Sequence, residues 1–444
     1  MLLLAGGRVV TPGGVLSPGW VRLAGPLIDA VGSGDAPEPP AVDLRGQWVL
    51  PGFVDLHVHG GGGASFTEGT QDDARKAAAF HRARGSTSLL ASLVTAPLAE
   101  LQARAAMLAD LADEGVIDGL HLEGPFLAPA RRGAQDPRYM LAPDVAAFER
   151  LHAAARGHLR IITLAPELPG AAKVIKAATR AGVTVAVGHT HATADVTLAA
   201  VDAGATHATH LFNGMRPWHH REPGAAGALL DRDEVTCEVI ADGVHLHDIA
   251  IRLAARVKGP GRLVLVSDAM AAAGMPDGRY QLGSARVTVA GGVARLLEDP
   301  GPAGPPDDPS QAGPTGDPSH PGPAGPADPA DDPSHPGPAG PADDPIQATP
   351  ADRADDPGQA GTGAAAGAIA GSTATLADVI RHAIAAGLPV PDVAAAASTT
   401  PARVLGLADR TAALSPGLAA DLVVCDDDFR PRAVMRQGRW LAAP

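Results

Sequence analysis

Between residues 53 and 267 short apolar runs alternate with Ala-rich stretches, and the alternation returns eight times. The runs fall at 53–58, 86–93, 119–122, 159–164, 183–188, 206–210, 235–240 and 263–267. Runs of this length and composition read as buried strands. The stretches between them carry helix signals. Thr70 precedes QDDARKAAAFHRARG, with acids in the first turn and bases in the last, the pattern of a capped helix. Further helical stretches run over 98–113, 143–155, 170–181, 193–203 and 246–257. Eight strand–helix units within about 250 residues have the size and rhythm of a (β/α)8 TIM-type barrel. A doubly wound open sheet is the alternative.

The flanks follow another rhythm. Residues 1–47 are short strands punctuated by Gly and Pro, and SPGLAADLVVCDDDFRPRAVMRQGRWL at the C-terminus returns to strands. The two ends are expected to pair in a small β-sandwich domain. The division expected is 1–51 and 406–444 for that domain, 52–297 for the catalytic barrel and 367–405 for its last helices, with Ser372 or Thr373 as a helix cap. Residues 298–366 break the pattern, repeating DPSHPGPAGPAD at 317–328 and 332–343. A segment of Pro, Gly, Ala and Asp lacks the apolar surface to offset its ordering entropy, so disorder is expected there. Lengthening a loop costs only about 0.6 kcal/mol per doubling, which makes such an insertion tolerable. It also holds thirteen acids against Arg353 alone, so most of the formal charge of −14 belongs to it and not to the folded body. No basic surface points to nucleic acid, and no apolar run is long enough for a membrane span. Cys237 and Cys425 have no metal-ligand spacing and read as reduced thiols of a cytoplasmic protein.

Barrel enzymes carry their chemistry at the C-terminal ends of the strands. Here those ends present His57 and His59, then Glu123, His189, His210 and Asp268. His57 and His59 share a strand face and open onto the glycine run 60–63, which offers little bulk to block access. Each residue alone has a structural reading: a buried His satisfies a carbonyl, a strand-end Asp caps a helix. Six in one register point to a metal site. Imidazole and carboxylate without thiolate suit Zn, Fe, Co or Mn better than Ca or Mg. Six candidates exceed the needs of one zinc, which leaves room for two ions bridged by Glu123. His191 and His207 flank these positions but point elsewhere by alternation, as residues that support the ligands from behind or simply pack.

The blocks PGFVDLHVHG, HLEGPF, VGHT, THLFNGM, HHREPG, ADGVHLH and SDAMAAAG resemble those of the N-acetylglucosamine-6-phosphate deacetylases of the amidohydrolase superfamily. The resemblance spans the chain outside 298–366. It implies one or two divalent ions per subunit, zinc foremost, on His57, His59, Glu123, His189 and His210, with Asp268 also at the metal. Glu123 stands where hydantoinase-like relatives use a carboxylated lysine; none of Lys76, Lys173, Lys176 and Lys258 lies at a strand end. Asp268 would be the general base toward water at the metal and then the acid for the departing amine. His245 would donate to the acetyl oxygen. Arg221, with Asn213 and Gly214, would hold the sugar phosphate, and Arg221 and His245 would reach across a homodimer interface. Gln135 replaces a histidine common in relatives and receives no role. The implied activity is deacetylation of N-acetyl-D-glucosamine 6-phosphate in amino-sugar catabolism and cell-wall recycling. Two other readings stay open: an amidohydrolase for another N-acyl amino sugar or a cyclic amide, and a non-catalytic scaffold working through the acidic insertion.

Overall fold

The structure, a computed structural model, describes residues 1–297 and 367–442. The disorder expected over 298–366 lies outside the described residues. Eight parallel strands follow one another in a single sheet in chain order. They are β1 (Phe53–Asp55), β2 (Ser86–Leu93), β3 (Gly119–Glu123), β4 (Leu159–Leu164), β5 (Thr184–Val187), β6 (His207–Ala208), β7 (Thr236–Val239) and β8 (Leu263–Leu265).

The sheet closes on itself just beyond the ends of β1 and β8. Asp268 N–H donates to His57 O at 2.9 Å and His59 N–H to Ala269 O at 2.8 Å, with Val58 and Ala269 bridged in parallel. Lower in the seam, Ser267 N–H donates to the buried carboxylate of Asp55 at 3.1 Å. A doubly wound open sheet has no such seam, so the barrel reading stands. Alternation along the strands separates two cores. Val54, Leu90, Ile161, Ala186 and Val264 form one apolar cluster, the packed interior of the ring. Their neighbours Phe53, Leu89, Ala91, Ile162 and Val185 pack outward in the larger core shared with the helices.

The helices Gln71–Arg82, Leu98–Asp113, Val145–Ala154, Ala171–Arg180, Ala194–Asp202 and Asp248–Lys258 occur where the sequence places them. Thr70 and Asp73 form a reciprocal capping box. Two elements escape the sequence reading: the helix Gly224–Asp231, and a three-stranded antiparallel sheet, Gly278–Leu282, Ala285–Ala290 and Val293–Leu296. The first is too short and glycine-rich to show a helical stripe; the second has hairpin turns but little apolar alternation. The helix Leu376–Ala385 is capped by Thr375 with Asp378, not by Ser372 or Thr373. The flanks of the insertion adjoin, with Leu296 N–H donating to Ala368 O at 2.9 Å.

The two chain ends build one mixed sheet. Its order is 439–442, 431–436, 422–425, 48–51, 2–11, 14–24 and 27–33, with 42–43 also paired to 2–11. Val424 pairs antiparallel with Val49, so the C-terminal strands are joined to the strand that feeds β1. Leu4, Val21, Ile28, Val49, Leu422 and Met435 fill its core. Among the described residues no helix is long and apolar enough to cross a membrane. Cys237 and Cys425 are buried free thiols, and burial raises the pKa of both.

The glycine run after His59 is not an open doorway. A Cβ on Gly60 would lie 2.3 Å from Ala64 O, and one on Gly61 would lie 2.5 Å from His81 Nε2. These glycines permit close packing under the helix Gln71–Arg82. There His81, wholly buried, pairs with Gly60 O at 2.9 Å through Nε2. Burial pushes its pKa from 6.5 down to about 4. Below pH 6.5 the unfolded chain therefore takes up a proton that the folded chain refuses until near pH 4. Stability is complete above that window and falls as the pH drops through it, by up to about 1.4 kcal/mol per pH unit from this group. His81→Gln keeps a donor for Gly60 O without titrating. In urea unfolding between pH 7 and pH 4 it should lose less stability than the parent chain, and parallel curves for the two would contradict the assignment.

Candidate metal centre

The six strand-end residues meet. Glu123 ends β3, and its Oε1 lies 3.0 Å from His189 Nε2 and 3.0 Å from His210 Nε2. Its Oε2 lies 3.4 Å from His59 Nε2, and His57 Nε2 is 3.0 Å from His59 Nε2. Asp268 Oδ1 approaches His59 Nε2 at 3.2 Å and His57 Nε2 at 3.4 Å. Two groups of converging ligand atoms result, His57–His59–Glu123 and Glu123–His189–His210, with Glu123 in both and Asp268 alongside the first.

The backbone is bent to aim them. His189, His210 and Asp268 have φ of 47°, 26° and 47°, the left-handed region that non-glycine residues avoid. Each such residue costs about 1–3 kcal/mol, a strain that clusters at working sites. It also explains why β5, β6 and β8 end earlier than the apolar runs do: the chain leaves the ladder in order to turn these side chains inward.

The second ring nitrogens fix what the first can do. His59 Nδ1 faces Ser92 O at 3.3 Å and His189 Nδ1 faces Arg131 O at 2.8 Å. A carbonyl only accepts, so both Nδ1 atoms carry a proton and both Nε2 atoms face the site, able to turn a lone pair to a bound cation. Bare imidazole nitrogens about 3 Å apart, beside two carboxylates, repel unless a positive charge sits among them. This donor set fits a divalent cation of the kind bound by nitrogen and oxygen. The electrostatics agree. Burial opposes protonation of His57 and His59, but Asp268 and Glu123 outweigh it, lifting His57 well above the usual imidazole value and His59 to about 9. Burial likewise opposes ionisation of Glu123 and Asp268, yet the surrounding imidazoles hold Glu123 well below the usual carboxylate range and Asp268 lower than usual.

Most of a supporting layer escaped the sequence, which offered only His191 and His207 for it. Glu238, wholly buried on β7, faces His57 Nδ1 at 3.2 Å and His207 Nε2 at 2.9 Å and accepts from His210 N–H at 3.1 Å. His207 thus supports the site from below, whereas His191 is exposed. His121 bridges Ser92 Oγ at 3.0 Å and Thr163 Oγ1 at 2.8 Å. Gln135, without a role on sequence grounds, donates to Glu123 Oε2 at 2.5 Å and accepts from Thr95 N–H at 2.7 Å. It anchors the shared carboxylate.

The remaining candidates lie farther out. Gly214 adjoins His189, whose Nδ1 would be 3.1 Å from a Cβ there, and Asn213 Nδ2 donates to His210 O at 3.3 Å. His245 Nδ1 pairs with Asp242 Oδ2 at 2.8 Å. Arg221 is not brought to the cluster: it sits on an exposed turn, donating to His220 Nε2 at 2.9 Å. Nor does it pair with Glu222, which is held by Arg216.

The amidohydrolase family model matches residues 48–278 and 352–441. The N-acetylglucosamine-6-phosphate deacetylase of Bacillus subtilis is 35% identical over 309 residues, covering 67% of this chain and 78% of its own length. The N-acetylgalactosamine-6-phosphate deacetylase of Escherichia coli O157:H7 is 39% identical over 294 residues, covering 65% and 76%. Among solved structures, an aspartate-to-alanine variant of the N-acetyl-D-glucosamine-6-phosphate deacetylase of Mycobacterium smegmatis, in complex with N-acetyl-D-glucosamine-6-phosphate, is 40% identical. It superposes with a TM-score of 0.82 over 100% of this chain and 99% of that one. The chain belongs to the amidohydrolase family.

Proposed function

We propose that the chain hydrolyses the acetamide of N-acetyl-D-glucosamine 6-phosphate to D-glucosamine 6-phosphate and acetate. The observation that carries the reading is the cluster of four imidazoles around Glu123 with an ionised Asp268 against its rim. Glu123, His189 and His210 would hold one divalent ion, and His57, His59 and Glu123 a second; zinc suits this set, as do iron, cobalt and manganese. A cation held there would supply Lewis acidity toward the amide carbonyl and toward the attacking water, which makes attack possible near neutral pH. Asp268 takes the proton of that water as its oxygen bonds to the acyl carbon. It returns the proton to nitrogen as the C–N bond breaks, releasing acetate and the amine. His245 donates to the carbonyl oxygen as charge gathers there.

Arg221 would hold the sugar phosphate, with Asn213 and Gly214 at the inner end of that subsite. Its exposed position, in contact with His220 and not with the cluster, suits an arm that reaches into the site of a second copy, hence a homodimer. Charged hydrogen bonds are worth about 1.5–3 kcal/mol. Arg221→Ala should therefore raise KM for the phosphorylated sugar by about 10–100-fold and leave little preference over the unphosphorylated one. Unchanged KM would place the phosphate elsewhere.

The identity to the galactosamine relative favours testing a second sugar. Acetate release should be measured on the 6-phosphates of N-acetylglucosamine and N-acetylgalactosamine and on free N-acetylglucosamine, with metal determined on the same sample. Faster turnover of the galacto epimer would transfer the reading to that substrate, and turnover of neither would end it. Removal of 298–366 should leave turnover intact, since its flanks are already hydrogen-bonded.

A further inference from the structure

The loop after β7 carries His245, and a buried acid stands behind it. Asp242 Oδ2 lies 2.8 Å from His245 Nδ1, and the two side chains are 4% and 6% exposed. The other oxygen of Asp242 accepts from the backbone N–H of Val244 and of His245, each at 2.9 Å. A carboxylate bound this way has one remaining direction free, and Ser372 fills it: Ser372 Oγ donates to Asp242 Oδ2 at 2.8 Å. Ser372 comes from the far side of the 298–366 segment, 130 residues on. Its N–H donates to Asp268 O at 2.8 Å, and its carbonyl accepts from Met270 N–H at 2.9 Å. One residue thus grips the backbone of Asp268 and the acid behind His245. The loop is braced again by His382, which faces Asp248 Oδ1 at 2.9 Å and packs so closely on Gly243 that a Cβ there would lie 2.6 Å from its ring.

We propose that Asp242 is a positioning residue for His245 and that Ser372 positions Asp242, registering the carbonyl-polarising imidazole against Asp268. This rests on the role given to His245 above. Asp242 accepts from Nδ1–H and its charge supports the imidazolium, so Nε2–H is the donor left to meet the carbonyl oxygen, in one orientation. Without the acid both ring tautomers and several rotamers become available. Fixing such a ring by the group behind it is the same logic by which a buried carboxylate orients a catalytic histidine in hydrolase triads.

The test is a double-mutant cycle on metal-loaded full-length enzyme: His245→Asn, Asp242→Asn, Ser372→Ala and the pairs with His245→Asn. Asp242→Asn should lower kcat by about 10-fold or more with KM within about 2-fold and metal content unchanged. In the His245→Asn background it should cost less than about 2-fold, because there is no ring left to hold. Ser372→Ala should show the same dependence on His245 with a smaller loss, and it supplies the answer if Asp242→Asn does not fold. Nitrogen NMR of the imidazole should find both ring nitrogens protonated to a higher pH in the parent chain than in Asp242→Asn. If His245→Asn turns over normally, the role of His245 and this inference fall together. If His245→Asn is impaired but the Asp242 and Ser372 losses persist undiminished in its background, the inference alone is overturned.

Discussion

Asp268→Asn should abolish turnover and leave metal content near that of the parent chain. The substitution is nearly isosteric, and Asn tolerates the left-handed backbone, φ 47°, that position 268 adopts. It preserves the closure of the barrel, which uses the backbone N–H of residue 268 toward His57 O. What it removes is a proton acceptor 3.2 Å and 3.4 Å from the two imidazoles of the first ligand group. A carboxamide neither takes a proton from water nor returns one to an amine. A positioned proton shuttle contributes about 10²–10⁴-fold, and here one group serves both half-steps, so the loss should reach the top of that range. Metal should survive because neither converging ligand group includes Asp268. Steady-state acetate release and elemental analysis on one preparation decide the matter. Near-normal kcat would remove Asp268 from the proton path, and loss of metal would make it a ligand before it is a base.

What the sequence discloses of this site follows from how barrels are built. Strand ends are local features, so an apolar run ending in His, Glu or Asp marks a mouth residue without any contact information. His57, His59, Glu123, His189, His210 and Asp268 were all legible this way, and they converge. Most of the supporting layer was not. Glu238 sits mid-run in VTCEVI, and the partner that explains it, His57, is 181 residues away. Nothing within a window of ten residues distinguishes a buried acid that orients a ligand from one that faces solvent at a sheet edge. Gln135 is hidden for the same reason, on a loop whose meaning appears only when Glu123 lies against it. The glycine run 60–63 misled in the opposite direction: missing side chains can mean open space or tight packing, and the identity of the covering helix decides. Arg221 remains the residue whose purpose a single copy of the chain leaves outside the cluster.

Glu123→Ala should strip the site of metal, and with it all activity. Glu123 is shared by both ligand groups, so its removal leaves each with two imidazoles, whereas removal of any one histidine damages a single group. Loss of a residue that merely supports a ligand already weakens metal binding by about 10–100-fold, and a shared ligand should cost more. The consequence can be read without substrate. A ligand that binds only the native state at a hundred times its Kd adds about 2.7 kcal/mol to stability. The parent chain should therefore melt several degrees higher with added divalent ion than after chelation, and the Glu123→Ala chain should melt at the same temperature in both. Glu123→Gln separates charge from shape. The amide can still meet Gln135 and fill the space between His189 and His210, but it no longer offsets the ion's charge. If binding depends on that charge, Glu123→Gln behaves like Glu123→Ala. A Glu123→Gln chain that kept its metal-dependent rise in Tm would show that the four imidazoles suffice, and the carboxylate would then need another reason to be buried among them.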